Sequence, residues 1–181
     1  MAVIGDSTFA HSGLTGLLNT VYNGGTSTIV VLDNRITAMT GHQNNPFTGK
    51  TLSGAPAPEV DIEQVVRALG VRDVRTVDPN LLRPTEKALR AAVEADEVSV
   101  VIAKAPCVLV TRRRDEPFAV DAEACTACGL CIGLGCPAIS RDANSRAIID
   151  TELCVGCRQC VQVCRYGAIR RAGRACEGSA S

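Results

Sequence analysis

The sequence predicts an α/β front half followed by a small cysteine-rich α+β unit, and three observations carry that prediction. Short β-branched runs alternate with helical stripes over residues 1 to about 110. A charged stretch from Arg112 to Pro117 then breaks the pattern. Behind it the chain repeats itself: FAVDAEACTACGLC and AIIDTELCVGCRQC align at a shift of 29 residues.

Taken in order, Ala2-Val3-Ile4 is a short strand ending at Gly5-Asp6. Leu14, Leu17, Leu18 and Val21 follow at helical spacing, with the helix start expected near His11-Ser12-Gly13. Ile29 to Leu32 is a second strand. Asp61 with Gln64 has the form of a capping box, and Ile62, Val65, Val66 and Leu69 make the stripe behind it. Val74 to Val77 is a third strand. Thr85 is expected to cap a helix running to about Ala95, with Leu89, Ala92 and Val93 inward. Val98 to Ile102 is a fourth strand. Such alternation argues for a parallel, Rossmann-like sheet with helices on both faces. Ligands of such sheets bind beyond the carboxyl ends of the strands. The segments GDST and DNRITAMTGHQNNP would leave two strands at that same edge. The expected organisation is a front domain over 1–111, a linker over 112–117, a repeat unit over 118–170 and a disordered tail over 171–181.

The 181 residues carry 19 basic and 19 acidic side chains, so no electrostatic footprint of a nucleic-acid binder is present. The start MAVIGDSTF has neither a basic n-region nor an apolar h-region, and no stretch reaches the length of a membrane span. A cytoplasmic, reducing compartment is expected, where clustered cysteines mean metal more often than disulfide.

Eight of the ten cysteines lie between Cys125 and Cys164. The first run reads C-x2-C-x2-C-x4-C-P and the second C-x2-C-x2-C-x3-C. Three cysteines at this spacing can wrap three corners of one [4Fe–4S] cubane, and a fourth must come from elsewhere. Zinc is the competing reading, but it prefers separated C-x2-C pairs and four ligands per ion. Residues 117 to 170 resemble bacterial two-cluster ferredoxins, in which the distal cysteine of each run ligates the other cluster. That resemblance assigns Cys125, Cys128, Cys131 and Cys164 to cluster one. It assigns Cys154, Cys157, Cys160 and Cys136 to cluster two. Gly129 and Gly156 would let the backbone approach the sulfides. Two departures stand out: one extra residue between Cys131 and Cys136, and Arg165 where such ferredoxins usually carry Pro. Cys107 reads as a buried small apolar residue behind a strand, against a ligand role, and Cys176 as a tail residue without a role.

At the front, Asp6 and Asn34 end neighbouring strands, and their oxygens suit a hard cation such as Mg2+ that holds phosphates. A following helix N-terminus would add backbone donors. Both residues are equally readable as turn formers. Gly5-Asp6-Ser7, and 25 residues later Asp33-Asn34, resembles the thiamine-diphosphate fingerprint. The longer pattern GDSTFAHSG…LDNRITAMTGHQ resembles the C-terminal half of the indolepyruvate:ferredoxin oxidoreductase α subunit, in the 2-oxoacid:ferredoxin oxidoreductase superfamily. That family joins a thiamine-binding domain to a two-cluster ferredoxin domain, in the order found here. The resemblance implies Mg2+ ligation by Asp6, Asn34 and the Ile36 carbonyl, and cofactor contacts from Ser7, Thr40, Gly41 and Gln43. His42 and His11 are candidates for binding a substrate carboxylate or relaying a proton, against a plain loop role for each. Ser7 and Asp33 depart from the general fingerprint and agree with this sub-family.

The implied activity is oxidative decarboxylation of aryl pyruvates to aryl-acetyl-CoA, with electrons leaving singly through the clusters to an external ferredoxin. The implied partners are the remainder of the α subunit, a β subunit, ferredoxin, coenzyme A and a 2-oxoacid, with no membrane. The diphosphate domain reads as N-terminally incomplete. No Glu precedes Asp6 to activate the aminopyrimidine, so the chain alone is expected to be inactive. Two rivals remain: a sibling acting on another 2-oxoacid, and a non-catalytic electron-transfer subunit with a degenerate front half. The Arg112 to Arg114 run is either a solvated linker or a steering patch for an acidic partner.

Overall fold

The computed structural model describes residues 1–111 and 115–174 of the chain. The chain divides into two compact units, Met1–Thr111 and Arg112–Ser181. The Arg112 to Arg114 run and Cys176 lie outside the described residues.

In the front unit, β1 (Ala2–Gly5) is followed at once by helix. The helical path runs through α1 (Asp6–Thr8), a π-helical stretch (Phe9–Gly13) and α2 (Leu14–Tyr22). It therefore begins at Asp6 and not near His11, as the hydrophobic stripe alone suggested. The stripe marks where the helix becomes amphipathic, and the first turns need no stripe because Phe9 alone is driven into the core at 1 % exposure. π-helical turns inside helices concentrate at functional sites. β2 (Thr28–Asp33) comes next, then an irregular segment over 34–61.

Helix α3 (Ile62–Ala68) starts as its capping signal predicts: Asp61 Oδ1 accepts a 2.8 Å hydrogen bond from the Gln64 amide. Gly70, at a φ of 96°, turns the chain just beyond its end. After β3 (Asp73–Val77) comes α4 (Leu82–Val93), whose cap position is Leu81 and not Thr85. Pro84 is tolerated in that first turn, where its missing N–H has no helical partner to lose. Thr85 sits inside the helix and donates its hydroxyl to the Asp78 carbonyl at 3.0 Å. Val93, expected inward, is 57 % exposed, because the stripe drifts off the sheet by the last turn, while Ala92 is buried. β4 (Ser99–Lys104) and the short α5 (Val108–Thr111) complete the unit.

All four strands are parallel, in the order β1-β2-β4-β3. One face is buried under α2 and α3 by Leu17, Val31, Val66, Val100 and Ile102. The other packs Val30 and Val101 against Ala92 and Leu89 of α4. The registers bring the ends of β1, β2 and β4 to one edge: Gly5 lies beside Leu32, and Asp33 beside Lys104. Phe47 anchors the irregular segment, 2 % exposed and 6.4 Å from the Phe9 ring.

The rear unit holds two small antiparallel ladders. β5 (Phe118–Val120) pairs with β8 (Ile169–Arg171), and β6 (Ile139–Arg141) pairs with β7 (Ala147–Ile149). The tail predicted from 171 onward begins too early: Arg171 pairs with Phe118 in the ladder, and a 3-10 turn (Ala172–Arg174) follows. Two further pieces stand at the ends of the runs: a 3-10 turn (Ile132–Leu134) lies between Cys131 and Cys136, and α6 (Gln159–Val163) carries Cys160 and ends just before Cys164. No helix among the described residues is long and apolar enough to cross a membrane.

Candidate functional site

The front edge is organised by Asp6, which is 2 % exposed. Its Oδ1 accepts from the Ser7 amide at 2.6 Å and its Oδ2 from the Arg35 amide at 3.0 Å. The second bond spans the gap between β1 and β2, and it requires a turn: Arg35 adopts a φ of 61°, unusual for a non-glycine residue. Asn34 supports this turn by accepting the Ile36 amide on its side-chain oxygen at 3.0 Å. The Asn34 carbonyl accepts the Cys107 amide at 3.0 Å, which brings the end of β4 to the same place. Cys107, expected to be buried, is thus a half-buried free thiol, because this bond holds it at the strand edge and not in the core.

The Arg35 side chain reaches back across the edge. Its Nε lies 3.2 Å from Oδ1 of Asp33, its Nη1 donates to the Phe47 carbonyl at 2.6 Å, and it pairs with Glu59. Asp33 is 2 % exposed, and burial pushes its carboxyl above the usual range. Arg35 pulls it back down, and the nearby Asp6 charge pushes it up again. Apart from the ion pair with Arg35, Oδ1 of Asp33 has no hydrogen-bond partner among the described residues, and neither does the buried Nδ2 of Asn45.

These donors fit a hard cation. Each Asp6 oxygen accepts one amide and retains a free lone pair. The carbonyl of Ile36, a 6 % exposed residue, accepts no hydrogen bond among the described residues. No three His, Cys, Asp or Glu side chains converge on one ion among the described residues. A site built of one carboxylate, one amide and one carbonyl suits Mg2+, which is commonly held by few protein ligands together with substrate phosphates.

Thr40, Gly41, His42 and Gln43 lie instead on an exposed hairpin. It is closed by the Thr37–Gln43 bridge and by Thr40 donating its hydroxyl to the Gln43 side chain at 2.6 Å. Among the described residues no hydrogen bond joins this hairpin to Asp6 or Asn34. His11 is exposed in the π-helical stretch. Sequence reasoning missed Arg35, Glu59 and Asn45. The available signal was a basic residue two places after an acid at a buried strand end.

In the rear unit the repeat is visible in the backbone. Asp121 and Asp150 each accept, on one carboxylate oxygen, the amides two and three residues on, at 3.0 and 3.2 Å for Asp121 and 2.8 and 3.2 Å for Asp150. Positive φ recurs at Ala127 and Gly156 (56° and 74°), and at Gly129 and Arg158 (76° and 67°). Gly129 and Gly156 are therefore not equivalents of one another. In the first run the extra residue is absorbed by the 3-10 turn, which ends at Gly135 with a φ of 66°.

The ladders explain which cysteines meet. β5 leads into Cys125, and its partner β8 leaves Cys164; β7 leads into Cys154, and its partner β6 leaves Cys136. Each distal cysteine is thereby carried to the triplet of the other run. One cavity is lined by Cys125, Cys128, Cys131 and Cys164, with Leu130 and Tyr166 at its wall. Burial pushes the Cys160 thiol up to about 11, and Cys157, Cys154 and Cys136 add to the shift. Burial likewise raises Cys131, with Cys125 and Cys128 contributing. Thiols this close together and this desolvated ionise at a cost unless iron supplies compensating charge. Four thiols around a volume, and not a point, match a polynuclear cluster better than one zinc ion.

Comparison with known proteins follows the same division. Residues 1–103 match the family described as thiamine pyrophosphate enzyme, C-terminal TPP binding domain, and residues 147–170 match the 4Fe-4S binding domain. "Indolepyruvate oxidoreductase subunit IorA" of Pyrococcus horikoshii is 43% identical over 180 residues, covering 94% of this chain and 28% of that protein. The protein of the same name from Methanothermobacter thermautotrophicus is 44% identical over 177 residues, covering 96% of this chain and 28% of that one. The chain thus spans little more than a quarter of these curated relatives. A solved 2-oxoglutarate:ferredoxin oxidoreductase from Magnetococcus marinus shares the fold at a TM-score of 0.53 and 19% identity, covering 59% of this chain and 40% of that one. With a thiamine-type strand edge in front and a cluster-type cysteine repeat behind, the chain belongs to the thiamine pyrophosphate enzymes, through their C-terminal TPP-binding domain.

Proposed function

We propose that this chain forms the C-terminal part of a cytoplasmic indolepyruvate:ferredoxin oxidoreductase α subunit. The reaction is oxidative decarboxylation of an aryl pyruvate to an aryl-acetyl-CoA, with electrons delivered to an external ferredoxin. Bound thiamine diphosphate supplies the carbanion chemistry, and two [4Fe–4S] clusters supply one-electron carriers. Asp6, Asn34 and the Ile36 carbonyl hold Mg2+, and the Ser7 amide keeps the Asp6 carboxylate aimed. Cys125, Cys128, Cys131 and Cys164 hold cluster one; Cys154, Cys157, Cys160 and Cys136 hold cluster two. Thr40, Gly41 and Gln43 close over the cofactor from the exposed hairpin, and His42 and His11 are the groups available to a substrate carboxylate. Turnover requires the remainder of the α subunit and a β subunit, consistent with the small share of the relatives that this chain spans.

The observation that carries the reading is the union, in one chain, of the Asp6–Arg35–Asn34 strand edge with the crossed cysteine repeat. The test is anaerobic purification with iron and sulfide analysis, low-temperature EPR of the reduced chain, and calorimetry with thiamine diphosphate and Mg2+. Eight iron atoms per chain are expected for two cubanes. Asp6→Ala is expected to abolish Mg2+-dependent cofactor binding while leaving the iron content unchanged. Zinc in place of iron refutes the cluster assignment. Clusters with no cofactor binding favour a plain electron-transfer subunit. Turnover of indolepyruvate by this chain alone refutes the need for the other subunits.

A further inference from the structure

The two cysteine sites are related by the repeat, yet their surroundings carry different charge. Arg141 of β6 lies against the first site: a Cβ at Gly129 would stand 2.8 Å from its Nη2. Gly129 and Cys128 line the same cavity as Cys125, Cys131 and Cys164. Arg141 donates to the Ser145 carbonyl at 3.3 Å and has no acidic partner among the described residues. Its counterpart in the repeat is Arg171 of β8. That guanidinium is paired with Glu116 at 3.1 Å and stacked 5.6 Å over the Phe118 ring. The second site also has an acid against it: a Cβ at Gly156 would lie 2.6 Å from Asp115 Cβ and 2.9 Å from its backbone. Cys128 is exposed, whereas Cys157 is half-buried.

We propose that the two clusters are electrically unequal, and that the one carried by Cys125, Cys128, Cys131 and Cys164 is the outlet: Arg141 holds it at the higher reduction potential, and electrons leave it at the face around Cys128. The proposal rests on the assignment of these cysteines to clusters. A reduced cluster carries one more negative charge than an oxidised one, so an adjacent uncompensated cation favours reduction. Contact with solvent acts in the same direction. Two groups oppose the difference. The Phe118 amide donates to Cys154 Sγ at 3.5 Å, and Arg158 lies in the second loop. The first is a neutral dipole. The second is exposed, as Arg141 is, but no hydrogen bond or ion pair among the described residues holds its side chain against the second site, whereas Arg141 abuts Gly129 of the first. One electron then passes downhill from cluster two to cluster one, oxidising the former and reducing the latter by one unit. A small acidic one-electron carrier takes it, attracted by Arg141 and the exposed Arg165, with Leu130 and Tyr166 as the exposed apolar contacts.

The test is an anaerobic EPR redox titration of the full chain. Wild type is expected to show two reduction waves. Arg141→Gln is expected to shift the higher wave to lower potential, and Glu116→Gln to shift the lower wave upward, so that each variant narrows the gap. A single wave in wild type, or an Arg141→Gln shift confined to the lower wave or absent altogether, overturns the inequality. For the outlet, Leu130→Glu is expected to slow oxidation of the pre-reduced chain by an acidic [2Fe–2S] ferredoxin at least several-fold, while Leu153→Glu leaves the rate in place. Equal slowing by both, or slowing by Leu153→Glu alone, overturns the outlet. Absence of any [4Fe–4S] signal would instead defeat the cluster assignment itself.

Discussion

Arg35 shows how one side chain can be fixed by two opposed demands. Its backbone must occupy a left-handed conformation so that its amide reaches Asp6, and its guanidinium must balance the buried Asp33. Left-handed backbone at a non-glycine residue costs about 1 kcal/mol or more. A buried carboxylate left without its partner costs about 3 kcal/mol. The ion pair therefore outweighs the strain. Arg35→Met is expected to destabilise the front unit by about 3 kcal/mol. The double variant Asp33→Asn/Arg35→Met is expected to recover a good part of that loss, since no charge is stranded. Urea denaturation of the four proteins in the cycle measures the coupling. An additive result would mean that Arg35 serves Glu59 and the Phe47 carbonyl instead.

At the scale of elements, the two glycines of the cysteine loops answer different constraints. Gly129 faces the end of a flexible arginine, whereas Gly156 faces the Asp115 backbone. Gly156→Ala is accordingly expected to lose cluster two in part, read as a fall in iron per chain, while Gly129→Ala retains both clusters. In the front unit, Glu63 of α3 is held below the usual carboxylate range, first by the Thr76 hydroxyl and then by Arg67. A depressed carboxylate contributes stability above its unfolded pKa, and that contribution is lost as pH falls through the lower folded value. The group is largely solvated, so the contribution is small. Glu63→Gln is expected to reduce the acid sensitivity of unfolding only slightly, in the region below about pH 4 where glutamate titrates. Equal pH profiles for the variant and wild type would remove Glu63 from any role in tying α3 to β3.

For the molecule as a whole, the two units are stabilised by different means. The front unit buries branched and aromatic side chains on both faces of its sheet. The rear unit has a thin core, in which Cys131 and Cys160 stand beside Phe118, Ala138, Ala147, Ile149 and Ile169. A unit of that size seldom holds together on apolar burial alone, and metal ligation commonly supplies the difference. Removal of iron by an anaerobic chelator is expected to abolish the thermal transition of the rear unit and to leave that of the front unit. Calorimetry of the chelated chain checks this. Loss of both transitions would show that the clusters also support the front unit.

The sequence by itself determined the α/β front half, the capping of α3, the cysteine repeat and the family resemblance. Each depends on local spacing: helical or strand periodicity, an acid three residues before an amide, or cysteines at fixed intervals. Only the tertiary structure decided what long-range pairing controls. It moved the helix start to Asp6, because the Phe9 side chain and not a stripe commits that turn to the core. It placed Thr85 inside α4, because the helix is entered through Leu81 and Pro84 needs only the first turn. It extended β8 to Arg171, which β5 holds by ladder bonds that no local signal announces. Charge is the clearest case: Arg35 opposite Asp33, Arg171 opposite Glu116, and Arg141 with no acid opposite it among the described residues. Coulombic partners are chosen by distance in space, and the chain separates Arg171 from Glu116 by 55 residues.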